Sequence, residues 1–330
     1  MAKGVLVIGE MAGERADPVT YELLAAARGL AGEMGEEVGV ALMGPGARAQ
    51  AAEAFAFGAD TAYVVEAAAL QGGSVDLLVS AAQQVVQRVE PRVVLLAKSL
   101  VGRDLAPRLA FRLGVGLAQD CLEVKYDAQR GRVLATRPVY GGAALAVVSP
   151  TQTPALVSLR PKAYDPLARE AREGKVEAVE VKLDPAEARA KVVKRQVEKA
   201  AGVKLEEARV VVSGGRGLGG PEPFETILRE LADLLGGAVG ASRAAVDAGW
   251  VSPQHQVGLT GKTITPDLYI TVAISGASQH MAGCSGAKTI VAINKDQEAN
   301  IFKEARYGVV GDWKKVLPAF VETVRELVKK

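Results

Sequence analysis

The chain has 330 residues, more than one hydrophobic core usually organises, so two domains are expected. Apolar residues make up 49% and aromatics only 5%, a composition that buries through small side chains and excludes a disordered chain. Lys and Arg (40) nearly balance Asp and Glu (38) for a formal charge of +2, so no global field recruits nucleic acid or a membrane surface, and any anion site must be local.

Gly4 to Ile8 reads as a first strand, Pro18 to Met34 has helical spacing, and Val38 to Met43 is a second strand. Strand, helix, strand implies a parallel sheet. The pattern continues through the strand Thr61 to Val65, a helix from Val75 to Val89, the strand Val93 to Ala97 and a helix from Arg103 to Leu113. Cys121 to Tyr126, Arg132 to Val139 and Ala143 to Ser149 are then short strands joined by turns, which suggests an antiparallel appendage. Lys98 to Asp104 reads either as an anion site at a helix N-terminus or as a turn capped by Asp104.

From Arg160 to Glu207 the sequence is charged and poor in aromatics, with Lys182, Arg189, Lys191, Lys194, Arg195 and Lys199 interleaved with acids. A linker is the simplest account; a basic partner-binding patch is the alternative, without the aromatics that base stacking needs. The expected fold class is α/β in two domains: an N-terminal parallel-sheet domain over 1–190, a charged linker over 191–207, and a C-terminal Rossmann-like domain over 208–330. Ala208 to Ser213 is the strand that opens the second domain. Phe224 to Leu235 carries apolar residues at helical spacing and stops at Gly236-Gly237. Ala238 to Ala241, Leu268 to Ile274 and Thr289 to Ile293 supply further strands, Gly276 to Gly283 contains a helix start, and the tail from Asp312 is amphipathic, with Val316, Phe320, Val324 and Leu327 on one side.

The polar loops that follow these strands carry the chemistry. They are Ser213-Gly-Gly-Arg-Gly-Leu-Gly219, Gly240-Ala-Ser-Arg243, Gln256-Val-Gly-Leu-Thr-Gly-Lys262 and Ser275-Gly-Ala-Ser-Gln-His280, and their placement points to a ligand at the carboxyl edge of a parallel sheet. Gly215, Gly217 and Gly220 satisfy G-x-G-x-x-G, where small residues admit a phosphate, or form a flexible turn. The acidic ribose ligand expected about 20 residues on is absent; Ser242-Arg243 stands there and favours an anion. Arg216 can meet a pyrophosphate or be a surface residue, Thr260 can present its hydroxyl or cap a helix, and His280 is either a ligand-edge or a structural histidine. Asn294, Asp296 and Asp312 can bind ribose or serve turns. Nothing reads as a nucleophile with its base, and Cys121 and Cys284, with only His255 and His280 beside them, make neither a disulfide framework nor a zinc site. The opening apolar run is too short for a signal sequence and no run approaches the ~18 residues of a membrane span, so a soluble cytoplasmic protein is expected. An NADP-dependent dehydrogenase is one reading of Arg243, which ends the second strand where a 2′-phosphate would lie.

Taken together, Ser213 to Leu218, Val239-Gly-Ala-Ser-Arg-Ala-Ala-Val-Asp-Ala-Gly249, Gly258-x-Thr-Gly-Lys262, Leu268-Tyr-Ile270, Ile274-Ser-Gly-Ala-x-Gln-His280 and Ile290-Val-Ala-Ile-Asn-Lys-Asp296 closely resemble the α subunits of electron transfer flavoproteins. The resemblance is dense over Arg209 to Trp313 and covers the first half mainly in length and layout. It implies a non-catalytic carrier that pairs with a β subunit, holds FAD in the C-terminal domain, and passes electrons, in fatty acid oxidation for example, from flavin dehydrogenases to a quinone oxidoreductase or another acceptor. AMP or a second FAD would lie in the β partner; neither nucleic acid nor membrane insertion is implied. By the same resemblance a buried Arg243 lies against the isoalloxazine and favours an anionic flavin semiquinone, Thr260 bonds near N5, and His280 faces the pyrimidine carbonyl. Ser242 and the backbone of Ser275, Gly276, Ala277, Ser278 and Gln279 hold the pyrophosphate and ribityl, Val257 and Gly258 are among the cofactor-binding residues, and Arg216, Asn294 and Asp312 lie toward the adenosine. The family pattern Gln-x-Gly-Gln-Thr-Gly has Gln where this chain has Leu259, so a side-chain contact is lost while a backbone contact can remain.

Overall fold

The computed structural model describes residues 2–142, 144–190 and 203–328. The chain divides into two compact units, Met1–Val139 with Leu145–Gln196 and Tyr140–Ala144 with Val197–Lys330.

In the first unit, beside a two-residue antiparallel pair of Met11–Ala12 with Arg15–Ala16, the strands are β1 (Val5–Ile8), β2 (Val38–Met43), β3 (Thr61–Val65), β4 (Val93–Ala97), β5 (Leu117–Cys121), β6 (Glu123–Asp127), β7 (Arg132–Val139), β8 (Ala144–Val148), β9 (Ala155–Leu159) and β10 (Lys175–Ala178). A 7-stranded, wholly parallel sheet takes the order β10-β3-β2-β1-β4-β9-β5. Its helices are α1 (Pro18–Met34), α2 (Ala51–Ala56), α3 (Val75–Val89) and α4 (Gly102–Leu113). Strand side chains alternate between two cores. Val5 and Val7 pack with Leu23, Leu24 and Leu30 of α1, while Leu6 and Ile8 pack with Val79, Ala82 and Val86 of α3 and with Leu105 and Leu109 of α4. A sheet covered on both faces has apolar residues at successive positions, which is why these strands read as unbroken apolar runs. Asp17 caps α1 by accepting from Val19 N, and Gly35 ends the helix at φ 65°.

Three strands of this sheet escape the sequence reading. β5 and β9 are short runs beside turns, and β10 is a charged edge strand inside the stretch read as linker. The linker account of residues 160–190 is therefore corrected: β10 pairs with β3, and Val179, Val181, Leu183 and Ala188 pack on the second core. Lys191, Lys194, Arg195 and Lys199, with most of the expected linker, lie outside the described residues, whereas Leu205 is buried in the second unit. The appendage is a 3-stranded sheet in the order β8-β7-β6, with β6 and β7 antiparallel. At the start of α4 it is Ser99 Oγ, not Asp104, that accepts from Gly102 N.

The second unit holds β11 (Val210–Gly214), β12 (Ala238–Ala241), β13 (Leu268–Val272), β14 (Thr289–Asn294) and β15 (Tyr307–Val310), with α5 (Glu222–Glu225), α6 (Ile227–Leu234), α7 (Arg243–Asp247), α8 (Ser278–Met281), α9 (Ile301–Glu304) and α10 (Trp313–Val328). All pairs are parallel and the order is β12-β11-β13-β14-β15. The chain leaves β11 toward one side for β12 and crosses to the other for β13, and this reversal of strand order places a crevice at the strands' carboxyl ends. One face of the sheet packs on Leu228, Leu231, Leu317 and Val321, the other on Met281 and Ile301. The single helix expected over Phe224 to Leu235 is broken at Thr226 (φ −109°, ψ −100°) into α5 and α6. In α10 the buried residues are Leu317 and Val321; Val316, Phe320 and Val324 pack beside them, but Leu327 is exposed. Strand β15 also escapes the sequence reading, because its residues are all exposed and carry no buried apolar pattern.

Candidate functional site

A cleft of about 510 Å³ lies at this crevice, lined by the loops after β11, β12 and β13 and by residues 256–260. The glycine loop is shaped by close approach. A Cβ on Gly215 would lie 2.0 Å from Ala273 O, so the loops after β11 and β13 touch through backbone there. Residue 215 has to be glycine for that contact. The loop then makes a short turn over Arg216–Leu218 and meets only the four-residue α5, so it does not open a long helix whose N-terminus would hold a phosphate. Gly220 has open space where a Cβ would go and no such constraint.

Most of the expected site residues come together here. Arg216, Ser242, Arg243, Val257, Gly258, Leu259, Thr260, Ser275, Ala277, Gln279 and His280 all line the cleft. Four do not. Gly276 (φ 78°) packs against the backbone of Ile301, and Ser278 is exposed, its Oγ donating to Gln279 Oε1 at 3.4 Å. Asn294 has both ends of its amide engaged, donating to Ile274 O (2.9 Å) and accepting from Asp296 N (3.0 Å), so it braces the loop after β13. Asp312 accepts from Lys314 N at 3.0 Å and caps α10. Asp247, Gln256 and Ala273 also line the cleft; the sequence reading includes Asp247 and Gln256 in its motifs without giving either a role.

Gln256 has a defined job: its Nε2 donates to Thr260 Oγ1 at 3.0 Å, which leaves the threonine hydroxyl proton free to donate elsewhere. The side chain of Leu259 is exposed at the rim, and its N–H donates to Gln279 O at 2.7 Å, so that amide is already used within the protein. The expected burial of Arg243 is corrected. Its side chain is 68% exposed and its Nε donates to Asp247 Oδ2 at 3.3 Å, one turn along α7. With Arg216 and Arg243 against Asp247, the lining keeps a net positive charge when His280 is neutral.

His280 is neutral because burial pushes its pKa down to about 4, a shift only partly opposed by the Val257 backbone. Its Nε2 lies 2.8 Å from the hydroxyl of the fully buried Tyr269. Its Nδ1 and the Oγ of Ser242 are buried without hydrogen-bond partners. Buried polar atoms are normally satisfied, so two orphans in one cleft mark places where a ligand's polar groups fit. Cys284, whose Sγ donates to His280 O at 3.4 Å, is held as the thiol, its pKa pushed up to about 12 by burial. Among the described residues no group of three or more His, Cys, Asp or Glu is placed to hold a metal, and no helix is long and apolar enough to cross a membrane.

Residues 5–184 match the electron transfer flavoprotein domain and residues 204–285 the electron transfer flavoprotein FAD-binding domain. The chain is also 42% identical to the electron transfer flavoprotein subunit alpha of Thermoanaerobacterium thermosaccharolyticum, over 98% of this chain and 98% of the relative. The chain belongs to the electron transfer flavoprotein family. Other similar members are the subunit alpha of Bacillus subtilis, 40% identical over 99% of each chain, and Protein FixB of Clostridium saccharobutylicum, 38% identical over 99% of this chain and 97% of the relative. The cleft lies within the part of the fold that the FAD-binding match reaches, up to His280. FAD is therefore the cofactor of this electron transfer flavoprotein, and the NADP-dependent dehydrogenase reading is set aside. The residues present fit that group: two guanidinium groups for a dianionic pyrophosphate or a reduced ring, and two orphaned polar atoms for hydrogen bonds.

Proposed function

We propose that this chain is the α subunit of a heterodimeric carrier that holds FAD in the cleft at the crossover of its second sheet. The observation that carries the reading is the pair of unsatisfied polar atoms, Ser242 Oγ and His280 Nδ1, in a cleft that also presents Arg216 and Arg243. Bound FAD supplies the redox chemistry, accepting and releasing electrons at its isoalloxazine ring. The chain's own residues bind and bias it. Ser242, Arg216, Ser275, Ala277 and Gln279 would hold the phosphates and ribityl; Thr260, oriented by Gln256, would donate to the ring; Arg243 would turn from Asp247 to the ring, where its charge favours the anionic reduced form over the neutral oxidised one.

A β subunit carrying AMP or a second FAD completes the carrier, flavin dehydrogenases are the donors, and a quinone oxidoreductase or another acceptor receives the electrons. The carrier works in the cytoplasm and turns over no substrate of its own. Co-expression with the β subunit tests this reading. A yellow heterodimer that releases FAD on denaturation is the expected result. A colourless heterodimer that takes up no added FAD would overturn it.

A further inference from the structure

His280 is the one imidazole among the residues lining the cleft, and the structure constrains which of its nitrogens carries the proton. The ring is neutral, so one nitrogen donates and the other accepts. Tyr269 sits on β13 beneath it, fully buried, with its hydroxyl 2.8 Å from Nε2. Burial holds that phenol protonated, its pKa raised well above the ordinary value. Two arrangements are open. In one, the phenol donates to Nε2 and Nδ1 carries the ring proton. In the other, Nε2–H donates to the phenol oxygen, the phenol proton must find another acceptor, and Nδ1 is left as a bare lone pair with no donor facing it. Ser213 Oγ is the nearby alternative for the phenol, but it has no partner of hydrogen-bond geometry. Imidazole nitrogen is also the stronger acceptor. The first arrangement satisfies more groups in a dry site.

We infer that Tyr269 is a positioning residue that fixes His280 as its Nδ1–H tautomer, so that the cleft offers its ligand a hydrogen-bond donor at that point and never an acceptor. The inference rests on the reading of the cleft as the FAD site, and it deepens it. A donor there selects a carbonyl edge, such as the pyrimidine edge of an isoalloxazine, over an amino group. It also strengthens as that edge gains negative charge, without the histidine itself being charged. The motif Leu268-Tyr-Ile270 shows neither this contact nor the tautomer, because the tyrosine lies eleven positions from His280 on a buried strand.

The test begins on the FAD-free full chain, labelled with 15N-histidine. The sequence has 2 histidines, so the two ring systems can be assigned by substituting His255. Long-range 1H–15N correlation spectra distinguish the tautomers directly. The expected result is His280 protonated at Nδ1 with a bare, hydrogen-bonded Nε2; in Tyr269→Phe, where that donor is gone, the Nε2–H form should become populated. Wild-type His280 protonated at Nε2 would overturn the inference, as would an unchanged tautomer in Tyr269→Phe. The second measurement uses the FAD-loaded heterodimer. Tyr269→Phe should lower the one-electron reduction potential by up to a tenfold change in equilibrium, about 59 mV, and should have no further effect in a His280→Gln background. Equal effects in both backgrounds would show that Tyr269 acts as packing alone. A chain that shows the expected tautomer but binds no FAD would sink the cofactor reading and leave the tautomer assignment standing.

Discussion

Arg243 holds Asp247 through Nε, and its 68% exposure means that any exchange of this pair for a ligand takes place in water, where such contacts contribute little. The exchange is therefore easy. Arg243→Ala should lower the one-electron potential of bound FAD, by about 59 mV for each tenfold loss of preference for the anionic ring. Spectroelectrochemical titration checks this, and an unchanged potential in a variant that still holds FAD would show that the guanidinium does not act on the ring. Thr260 makes a different case. Its hydroxyl accepts from Gln256, so Thr260→Ala removes an oriented donor without removing charge or volume of consequence. The variant should retain FAD with altered potentials, while Thr260→Ser should stay close to wild type; loss of FAD from Thr260→Ala would instead assign the residue to binding.

At the scale of elements, the loops after β11 and β13 are fitted to each other at Gly215, where an added methyl group would meet Ala273 O at 2.0 Å. Gly215→Ala should weaken FAD binding at least tenfold, about 1.4 kcal/mol, while circular dichroism stays that of the wild-type fold; fluorescence titration with FAD measures the loss. Two-sided burial makes continuous apolar runs of most central strands, as in Val93 to Ala97, but the equally buried β9, broken by Ser158, goes unread. The sequence also hides β10 and β15, edge strands with few buried side chains, because periodicity reports burial and these are barely buried. The same logic divides the site. Ser242, Arg243, Thr260 and His280 are legible because they sit in motifs directly after strands. Asp247 and Gln256 stand in the same motifs, but their parts are not legible, since one is a helix residue paired with Arg243 and the other serves Thr260. Asn294 and Asp312 read as ligand residues because asparagine and aspartate look alike in sequence whether they cap, brace or bind.

One acid stands out among the described residues for the size of its upward shift. Glu10, after β1, is half-buried, accepts from Ser99 Oγ at 2.6 Å, and has its pKa raised to about 7 from 4.5, mainly by loss of solvation. A raised carboxyl pKa means that the folded state holds the proton more tightly than the unfolded one. The resulting stability is fully present below pH 4.5 and is lost as pH rises through 7. The total is roughly 3 kcal/mol. Glu10→Gln cannot ionise, so its thermal midpoint should exceed that of the wild type at pH 8, with the gap closing toward pH 4.5; a gap independent of pH would rule out this linkage. The two margins of the second sheet differ in a way that bears on handling of the protein. β12 is wholly buried and is bridged from Ala241 to Gln256, whereas every residue of β15 is exposed, Tyr307, Val309 and Val310 among them. An open, apolar border of that kind is a template for strand addition by another molecule, so concentrated solutions of the isolated chain should be prone to fibrous self-association starting from residues 307–310.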